Sequence, residues 1–155
     1  MAEISDLPLA SRLFLKAYPW RRIDPLPWSP LRKPLPEARL ALVSTAGLVL
    51  PGQAPFDERV RGGDYSYREI PDDADVSTLI DSHRSGTYDH SGVQADPNVG
   101  FPLDRLHELG LRTNARHFSF MGSLTAPGRL VRETAPEAAE KLVADGVDAV
   151  LLIPI

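Results

Sequence analysis

Three short segments with apolar residues stand out as strand candidates, and the first of them is a continuous apolar run. They cover Arg39–Ser44, Arg116–Met121 and Asp148–Ile153, and each is the length of a strand. Continuous apolar runs of this length are typical of strands that are buried on both faces of a parallel sheet. We therefore expect the three runs to be parallel members of one sheet, with Leu151 fully buried on its central strand.

Helical spacing of apolar residues predicts three helices. The first covers about Leu9 to Tyr18. The second opens at Pro102 and places three leucines on one face, Leu103, Leu106 and Leu109. The third begins at Thr134 as its N-cap, ends at Gly146, and has an apolar face of Ala138, Ala139, Leu142 and Val143.

A strand, a helix and a strand joined by short connections predict a right-handed βαβ unit. The fold class is therefore α/β, with a three-layer, Rossmann-like or flavodoxin-like parallel sheet in residues 37–155. Tyr65–Ile70 is a further candidate strand, and the stretch Ser82–Gly100, which lacks periodicity, is predicted to be a long loop.

The first 36 residues form a separate segment because they contain seven of the fifteen prolines. After the first helix, a Pro-rich arm is expected to run extended from Pro19 to Pro36, since proline removes a backbone donor and fixes φ. The arm carries both tryptophans, Trp20 and Trp28. Two interpretations stay open: the arm packs on its own domain, or it embraces a second subunit.

Composition excludes several functions. The net charge of −4 argues against nucleic acid or an anionic membrane as a partner, and no apolar run reaches the length of a membrane helix. The 155 residues contain no cysteine, which excludes disulfides, Cys-ligated zinc, iron–sulfur clusters and thiol chemistry within them. No nucleotide-binding glycine motif is present, so no cofactor is predicted. The absence of a signal or transit pattern predicts a cytoplasmic location.

The first candidate site lies where the three predicted strands end. Small and hydroxyl residues follow each strand, and in α/β sheets this carboxyl edge is where ligands bind. Backbone N–H groups there could receive a carboxylate or phosphate, although the same residues are also ordinary turn formers. The candidates are Ser44, Thr45, Gly47, Gly122 and Ser123, with Pro154 and Ile155 beside them.

The second candidate site is the loop from Asp81 to His90, which is rich in reactive groups. Its candidates for substrate binding or acid–base catalysis are His83, Tyr88, Asp89 and His90. A divalent metal or a solvated polar loop are the alternatives, and the spacing matches no zinc signature. His117, at the start of a strand, is interpreted as a core or sheet-edge histidine, with a place near an interface or the site mouth as the alternative.

Several segments, in this order, resemble the selenoprotein B family of glycine/sarcosine/betaine reductase and D-proline reductase. The similarity covers residues 28–155. It is carried by Trp28–Leu35, Ala38–Leu48, Asp64–Pro71, Tyr88–Ser91, Phe101–Leu106, His117–Gly122 and Ala144–Pro154.

The resemblance implies a selenol- or thiol-dependent reductase of small amine-containing molecules, with other reductase subunits or a second copy as partners. It also implies a selenocysteine or cysteine just after the strand that ends at Pro154, so that residue is expected to follow Ile155. On this hypothesis the sequence is the N-terminal part of a longer domain, and the 155 residues alone are inactive. A non-enzymatic accessory subunit and a metal-dependent enzyme using His83, Asp89 and His90 are the alternatives.

Overall fold

The computed structural model describes residues 4–19 and 22–155. The chain divides into two compact units, residues 1–30 and residues 31–155. Four α-helices are present in the described residues: α1 (Leu9–Ala17), α2 (His90–Ala95), α3 (Leu103–Glu108) and α4 (Ala135–Ala144). None of these helices is long and apolar enough to cross a membrane.

Six strands lie in the second unit. They are β1 (Leu40–Ser44), β2 (Leu48–Val49), β3 (Tyr67–Pro71), β4 (Ile80–Asp81), β5 (Arg116–Phe120) and β6 (Ala149–Ile153). Short 3-10 turns cover Ile4–Asp6, Leu35–Glu37, Val76–Thr78 and Pro97–Val99, and a π-helical turn covers Leu130–Thr134.

The first unit contains the predicted N-terminal helix. Helix α1 ends at Ala17, one residue before the expected end, and none of its residues is buried within the chain. Among the described residues that follow, no helix or strand occurs before Leu35. Trp28 is 84% exposed, whereas Trp20 lies outside the described residues. The embrace of a second subunit by this segment stays a prediction.

The main sheet has four strands in the order β3-β5-β1-β6. Strand β1 pairs in parallel with both β5 and β6, which confirms the parallel arrangement of the three predicted strands. Strand β3 pairs antiparallel with β5, so the sheet is mixed and not wholly parallel. A separate two-stranded ladder joins β2 and β4. The fold is therefore α/β with a mixed sheet.

The prediction that Leu151 is fully buried on a central strand is wrong. Strand β6 pairs only with β1 in the described sheet and is an edge strand, and Leu151 is 38% exposed. The central strands are β5 and β1, because the crossover through α4 passes over β1 and adds β6 on its far side. Leu42, the register partner of Leu151 on β1, is fully buried.

Each face of the sheet has its own apolar core. On one face, α4 packs Ala138 and Leu142 against Phe118 and Phe120 of β5, as its predicted position requires. On the other face, Leu42 and Ile70 pack against residues of α2, α3 and the loops around them, including Val93, Phe101, Leu103 and Leu106. Burial on both faces explains why the central strand β1 is apolar at four of its five positions.

Two details of the predicted helices are wrong. Thr134 does not cap α4, because the preceding π-helical turn runs directly into the helix and places Thr134 inside the helical segment. Its hydroxyl instead donates to the carbonyl of Tyr65. The buried apolar faces of α3 and α4 are also narrower than predicted, since Leu109 at the end of α3 and Ala139 and Val143 on α4 are exposed.

The stretch Ser82–Gly100 is not a continuous loop. Asp89 accepts a hydrogen bond from the N–H of Gly92 and begins α2, and Asp96 accepts one from Asn98 at the start of the following 3-10 turn. Such caps satisfy backbone donors that a short helix otherwise leaves free. One buried valine, Val93, anchors α2 to the core, which is too little for a periodic signal.

His117 is a core histidine, which agrees with the first of the two interpretations given for it above. It is fully buried on β5. Its Nδ1 accepts the backbone N–H of Leu42 at 3.0 Å, so the proton of the neutral ring is on Nε2, which donates to Asp72 at 3.0 Å. Burial lowers the pKa of His117, and the carboxylate of Asp72 opposes that shift. The ring thus links two strands as an uncharged group.

We expect this arrangement to make stability fall with acidification. The unfolded chain binds a proton on His117 near pH 6.5, whereas the folded chain does so only at a lower pH, so protons favour unfolding below about pH 6.5. The loss is at most about 1.4 kcal/mol for each pH unit between the two pKa values. Urea denaturation of wild type and His117→Gln at pH 7.5, 6.5 and 5.5 measures it.

The variant His117→Gln should show a shallower dependence on pH than wild type over that range. Subtracting the two curves removes the opposite contribution of His90, whose pKa is raised. Parallel curves for the two proteins would contradict the prediction.

Candidate functional site at the carboxyl edge of the sheet

The turns that follow β1, β5 and β6 meet at one edge of the sheet. The N–H of Thr45 donates to the carbonyl of Ile153 at 3.0 Å, and the N–H of Ile155 donates to Thr45 Oγ1 at 2.8 Å. A Cβ on Gly122 would lie 2.7 Å from the carbonyl oxygen of Thr45 and 2.9 Å from that of Ile155. The structure therefore brings the three predicted segments into direct contact.

A cavity of about 360 Å³ opens at this edge, beside the loop from Asp81 to His90. Its lining comes from that loop, from the turn after β5 and from the segment after β6. The lining residues are His83, Ser85, Thr87, Tyr88, Asp89, Ser123 and Ile155. The two candidate sites identified in the sequence therefore adjoin at this cavity, to which the first contributes Ser123 and Ile155.

His83 is the buried polar group of the cavity. The residue is 6% exposed, and its Nδ1 accepts the backbone N–H of Ser85 at 3.2 Å. Its Nε2 is buried and has no hydrogen-bond partner. Burial lowers the pKa of His83, and the nearby Asp81 carboxylate opposes the shift. The ring is therefore neutral near pH 7, with its proton on Nε2.

His90 is in the opposite protonation state. Its Nδ1 donates to Asp81 Oδ2 at 2.5 Å and its Nε2 donates to the carbonyl of Ser85 at 2.9 Å. Both partners are acceptors, so both ring nitrogens carry protons. The hydrogen bond with Asp81 and then that with Ser85 raise the pKa of His90. His90 thus fastens the loop as a cation and does not line the cavity.

Tyr88 and Asp89 contribute a hydroxyl and a carboxylate. The Tyr88 ring lies 4.5 Å from the His83 ring between centroids, and its buried Oη has no hydrogen-bond partner. Burial raises the pKa of Tyr88, helped by the charges of Asp81 and Asp89. Asp89 accepts from the hydroxyl of Ser91 and the N–H of Gly92, which lower its pKa. It therefore stays an anion that is turned toward the start of α2.

The remaining candidates lie behind the cavity. Ser44 is buried and donates to the carbonyl of Gly100 at 2.5 Å, which is a structural contact. Gly47 has a φ of +68° and packs against His83, and Thr45 holds Ile155. Sequence reasoning missed Ser85 and Thr87, because isolated hydroxyl residues in a polar loop carry no signal of their own.

The loop histidines are poorly placed to ligate a metal. Both nitrogens of His90 are engaged as donors, and a metal on Nε2 of His83 would move the ring proton to Nδ1, which already faces the N–H of Ser85. In residues 4–19 and 22–155, no group of three or more His, Cys, Asp or Glu side chains could hold a metal ion. This geometry gives no support to the metal-dependent alternative.

Another cleft, of about 480 Å³, lies near the starts of the parallel strands. Its charged lining includes Arg39, Asp72 and Asp145, which already take part in hydrogen bonds within the fold. Arg39 donates to the carbonyl of Asp145 at 2.6 Å, and Asp72 accepts from His117. Because these charges are already bound within the fold, we favour the cavity at the opposite edge, where buried polar atoms lack partners.

Gly122 allows this edge to close, and we expect Gly122→Ala to destabilise the protein by about 1–3 kcal/mol. The new Cβ would lie 2.5 Å from His83 Nε2 and against two backbone carbonyls, which cannot move as a flexible side chain does. Urea denaturation measures the change. Gly86→Ala is the matched control, because a Cβ there meets nothing within 4 Å. Equal stability of the two variants would contradict the prediction.

Comparison with known proteins agrees with the resemblance seen in the sequence. The family model of glycine/sarcosine/betaine reductase selenoprotein B matches residues 8–154. D-proline reductase subunit gamma of Acetoanaerobium sticklandii is 36% identical over 96% of this chain and 61% of its own length. No solved structure matches the chain significantly.

Two further relatives are subunits of reductase complexes. Glycine reductase complex component B subunit gamma of Symbiobacterium thermophilum is 29% identical over 87% of this chain. Sarcosine reductase complex component B subunit beta of Peptoclostridium acidaminophilum is 29% identical over 90%. The chain spans about three fifths of the first relative and about a third of these two. Because the family model covers nearly all of it, the chain belongs to the glycine/sarcosine/betaine reductase selenoprotein B family.

Proposed function

We propose that this chain forms the substrate-binding part of a selenol- or thiol-dependent reductase that acts on a small amine-containing molecule. The observation that carries the proposal is the meeting of three turns beside a cavity with a buried, unpartnered histidine nitrogen. The relatives of this chain are named as subunits of D-proline reductase and of glycine and sarcosine reductase complexes, which supports a small amine-containing substrate.

In this proposal the redox-active selenocysteine or cysteine follows Ile155. Thr45 Oγ1 accepts the N–H of Ile155 at 2.8 Å and donates to the carbonyl of Ile155 at 3.2 Å. The residue after Ile155 would therefore begin beside the cavity. A selenolate or thiolate is the reactive form, and N–H groups of a turn favour an anion. The turn of Gly122 and Ser123 adjoins Ile155, whose carbonyl oxygen would lie 2.9 Å from a Cβ on Gly122, and Ser123 has a φ of +59°.

The partners are proposed from the same relatives. Three relatives are named as subunits, two of them as subunits of complex component B, so we propose that this chain works with other reductase subunits, with a second copy as the alternative partner. The net charge of −4 supports a protein that binds neither nucleic acid nor an anionic membrane, and we propose a cytoplasmic location for it.

The deciding experiment reads the gene beyond the codon for Ile155 and measures the mass of the native product. We expect an in-frame cysteine codon, or a codon read as selenocysteine, within a few residues of Ile155, followed by the pattern of a further helix. A native product of 17.0 kDa with no such codon would contradict the proposal. That result would favour a second candidate, a non-enzymatic accessory subunit, which the absence of cysteine from the 155 residues supports.

A further inference from the structure

An apolar groove lies beside α4, on the face of the sheet that this helix covers. Its volume is about 250 Å³, and every residue that lines it is apolar. The lining includes Ala139 and Leu142 on α4, Val43 on β1, and Val150 and Leu152 on β6. The groove therefore follows the boundary between the helix and the edge strand.

Helix α4 covers the central strands on this face and leaves the edge strand open. Phe118 and Phe120 of β5 are buried against α4, whereas Val150 and Leu152 of β6 are exposed. On α4 itself, Val143 is 78% exposed and lies one turn after the groove-lining alanine. Apolar side chains that are exposed on both sides of a groove are typical of a surface that another segment covers.

The path of the chain predicts on which face a segment after β6 would lie. The connection from β5 through α4 passes β1 and reaches β6, so it advances toward the open side of the sheet. Connections between parallel strands of one sheet are right-handed, so two connections that advance in the same direction lie on the same face. A further connection from β6 past its open edge would therefore lie beside α4, where the groove is.

The spacing of the elements fits one helix in this groove. Neighbouring strands lie about 4.8 Å apart, and packed helices lie about 8–10 Å apart between their axes. Because α4 packs over β5 and β1, a neighbouring helix would lie about two strands further along, above β6 and its open edge. The small side chain of Ala139 would allow the two helices to approach closely.

A relative of this chain is long enough to contain such a helix. The chain spans 61% of the length of D-proline reductase subunit gamma of Acetoanaerobium sticklandii. Helix α4 has 10 residues, and a helix rises about 1.5 Å per residue, so a partner helix of about 10–12 residues would run along its whole length.

We infer that the first helix after Ile155, in the longer gene product that the proposed function expects, packs into this groove against α4 and β6. The inference rests on the proposed function, in which the chain continues past Ile155, and it deepens that function by naming the segment that covers the sheet beside the site. The helix would begin at the edge where Ile155 meets the cavity and would run back along β6, antiparallel to that strand.

The test measures how fast single introduced cysteines react with a thiol reagent in the longer product, with every cysteine or selenocysteine after Ile155 replaced by serine. Val143→Cys reports on the groove. Leu109→Cys, at the end of α3, is the matched control, because Leu109 is 72% exposed. We expect Val143→Cys to react at least about 10-fold more slowly than Leu109→Cys, since a covered thiol reacts only after local opening. Similar rates for the two thiols would overturn the inference.

A second measurement identifies the segment that covers the groove. In the Val143→Cys protein, a further cysteine is introduced at successive positions of the first helix after Ile155. Under mild oxidation, disulfides should form within one chain at positions that recur every three or four residues, because one face of that helix meets α4. If Val143→Cys is protected but no such disulfide forms, a partner subunit or another part of the chain covers the groove and the inference fails. A disulfide that joins two chains would assign the groove to a second copy and would also overturn it.

Neither measurement needs reductase activity, so the outcome is distinguishable from that of the proposed function. A longer product that has no redox residue but covers the groove in this way would contradict the proposed function and leave the inference standing. A longer product that has the redox residue and an open groove would overturn only the inference. A gene that ends at the codon for Ile155 would overturn both.

Discussion

The purified 155-residue chain should show no reductase turnover of D-proline, glycine, sarcosine or betaine with a dithiol donor. In the proposed mechanism this reduction needs a thiolate or selenolate as its nucleophile, and the 155 residues contain no cysteine. Its only sulfur atoms are the thioethers of Met1 and Met121, and Met121 is fully buried. A coupled assay of substrate loss, run against the dithiol alone, measures the rate.

The matched control is the longer gene product that the proposed function expects, with cysteine in place of any selenocysteine and together with the proposed partner subunits. Turnover by that product, with none by the shorter chain, is the expected pair of results. Sustained turnover by the cysteine-free chain would contradict the selenol or thiol mechanism and would shift attention to His83 and Tyr88 as reacting groups.

Leu42→Ala should destabilise the protein by about 2–5 kcal/mol, whereas Leu151→Ala should cost about 1 kcal/mol. The two leucines are register partners on adjacent parallel strands, and they differ in their surroundings. Leu42 is fully buried in the core beneath α2 and α3, and its loss leaves a cavity. Leu151 is 38% exposed on the edge strand, so solvent and neighbouring side chains fill the space.

Urea denaturation of both variants at pH 7.5 measures the difference in free energy of unfolding. The two substitutions remove the same atoms from strands of the same sheet. The ratio of their costs in free energy of unfolding therefore reports on burial and not on residue type. A cost for Leu151→Ala as large as that for Leu42→Ala would mean that β6 is covered on both faces in solution.

Local sequence signals predicted the central elements well. The strands β1 and β6 are almost continuously apolar, β5 places Phe118 and Phe120 among polar residues, and a glycine or proline follows each strand within three residues. Helix α4 combines an early proline with a glycine just beyond its last turn. These signals depend on neighbouring residues, so they survive without knowledge of the tertiary structure. The position of β6 at the edge of the sheet could not be predicted from such local signals, because the lateral order of strands depends on which way the α4 crossover passes.

The site was predictable in its parts and not in its chemistry. Glycine and hydroxyl residues after strands indicated the edge, and the density of reactive groups indicated the loop. The proton of His83 is placed by the N–H of Ser85, whereas His90 is protonated because it faces Asp81 and the carbonyl of Ser85. No pattern in the sequence reports which backbone atom a histidine meets. Helix α2 was missed for a related reason, since its start depends on the Asp89 cap.

The exposed edge strand also matters for handling the protein at high concentration. In the described sheet β6 pairs on one side only, and Val150, Leu151 and Leu152 are all exposed, with Leu152 at 66%. An exposed apolar strand with unpaired N–H and C=O groups is a template for pairing with further copies, which leads to aggregates. The substitution Leu152→Lys would place a charge on this strand and oppose such pairing. Leu152 does not line the cavity, so the substitution leaves the lining unchanged.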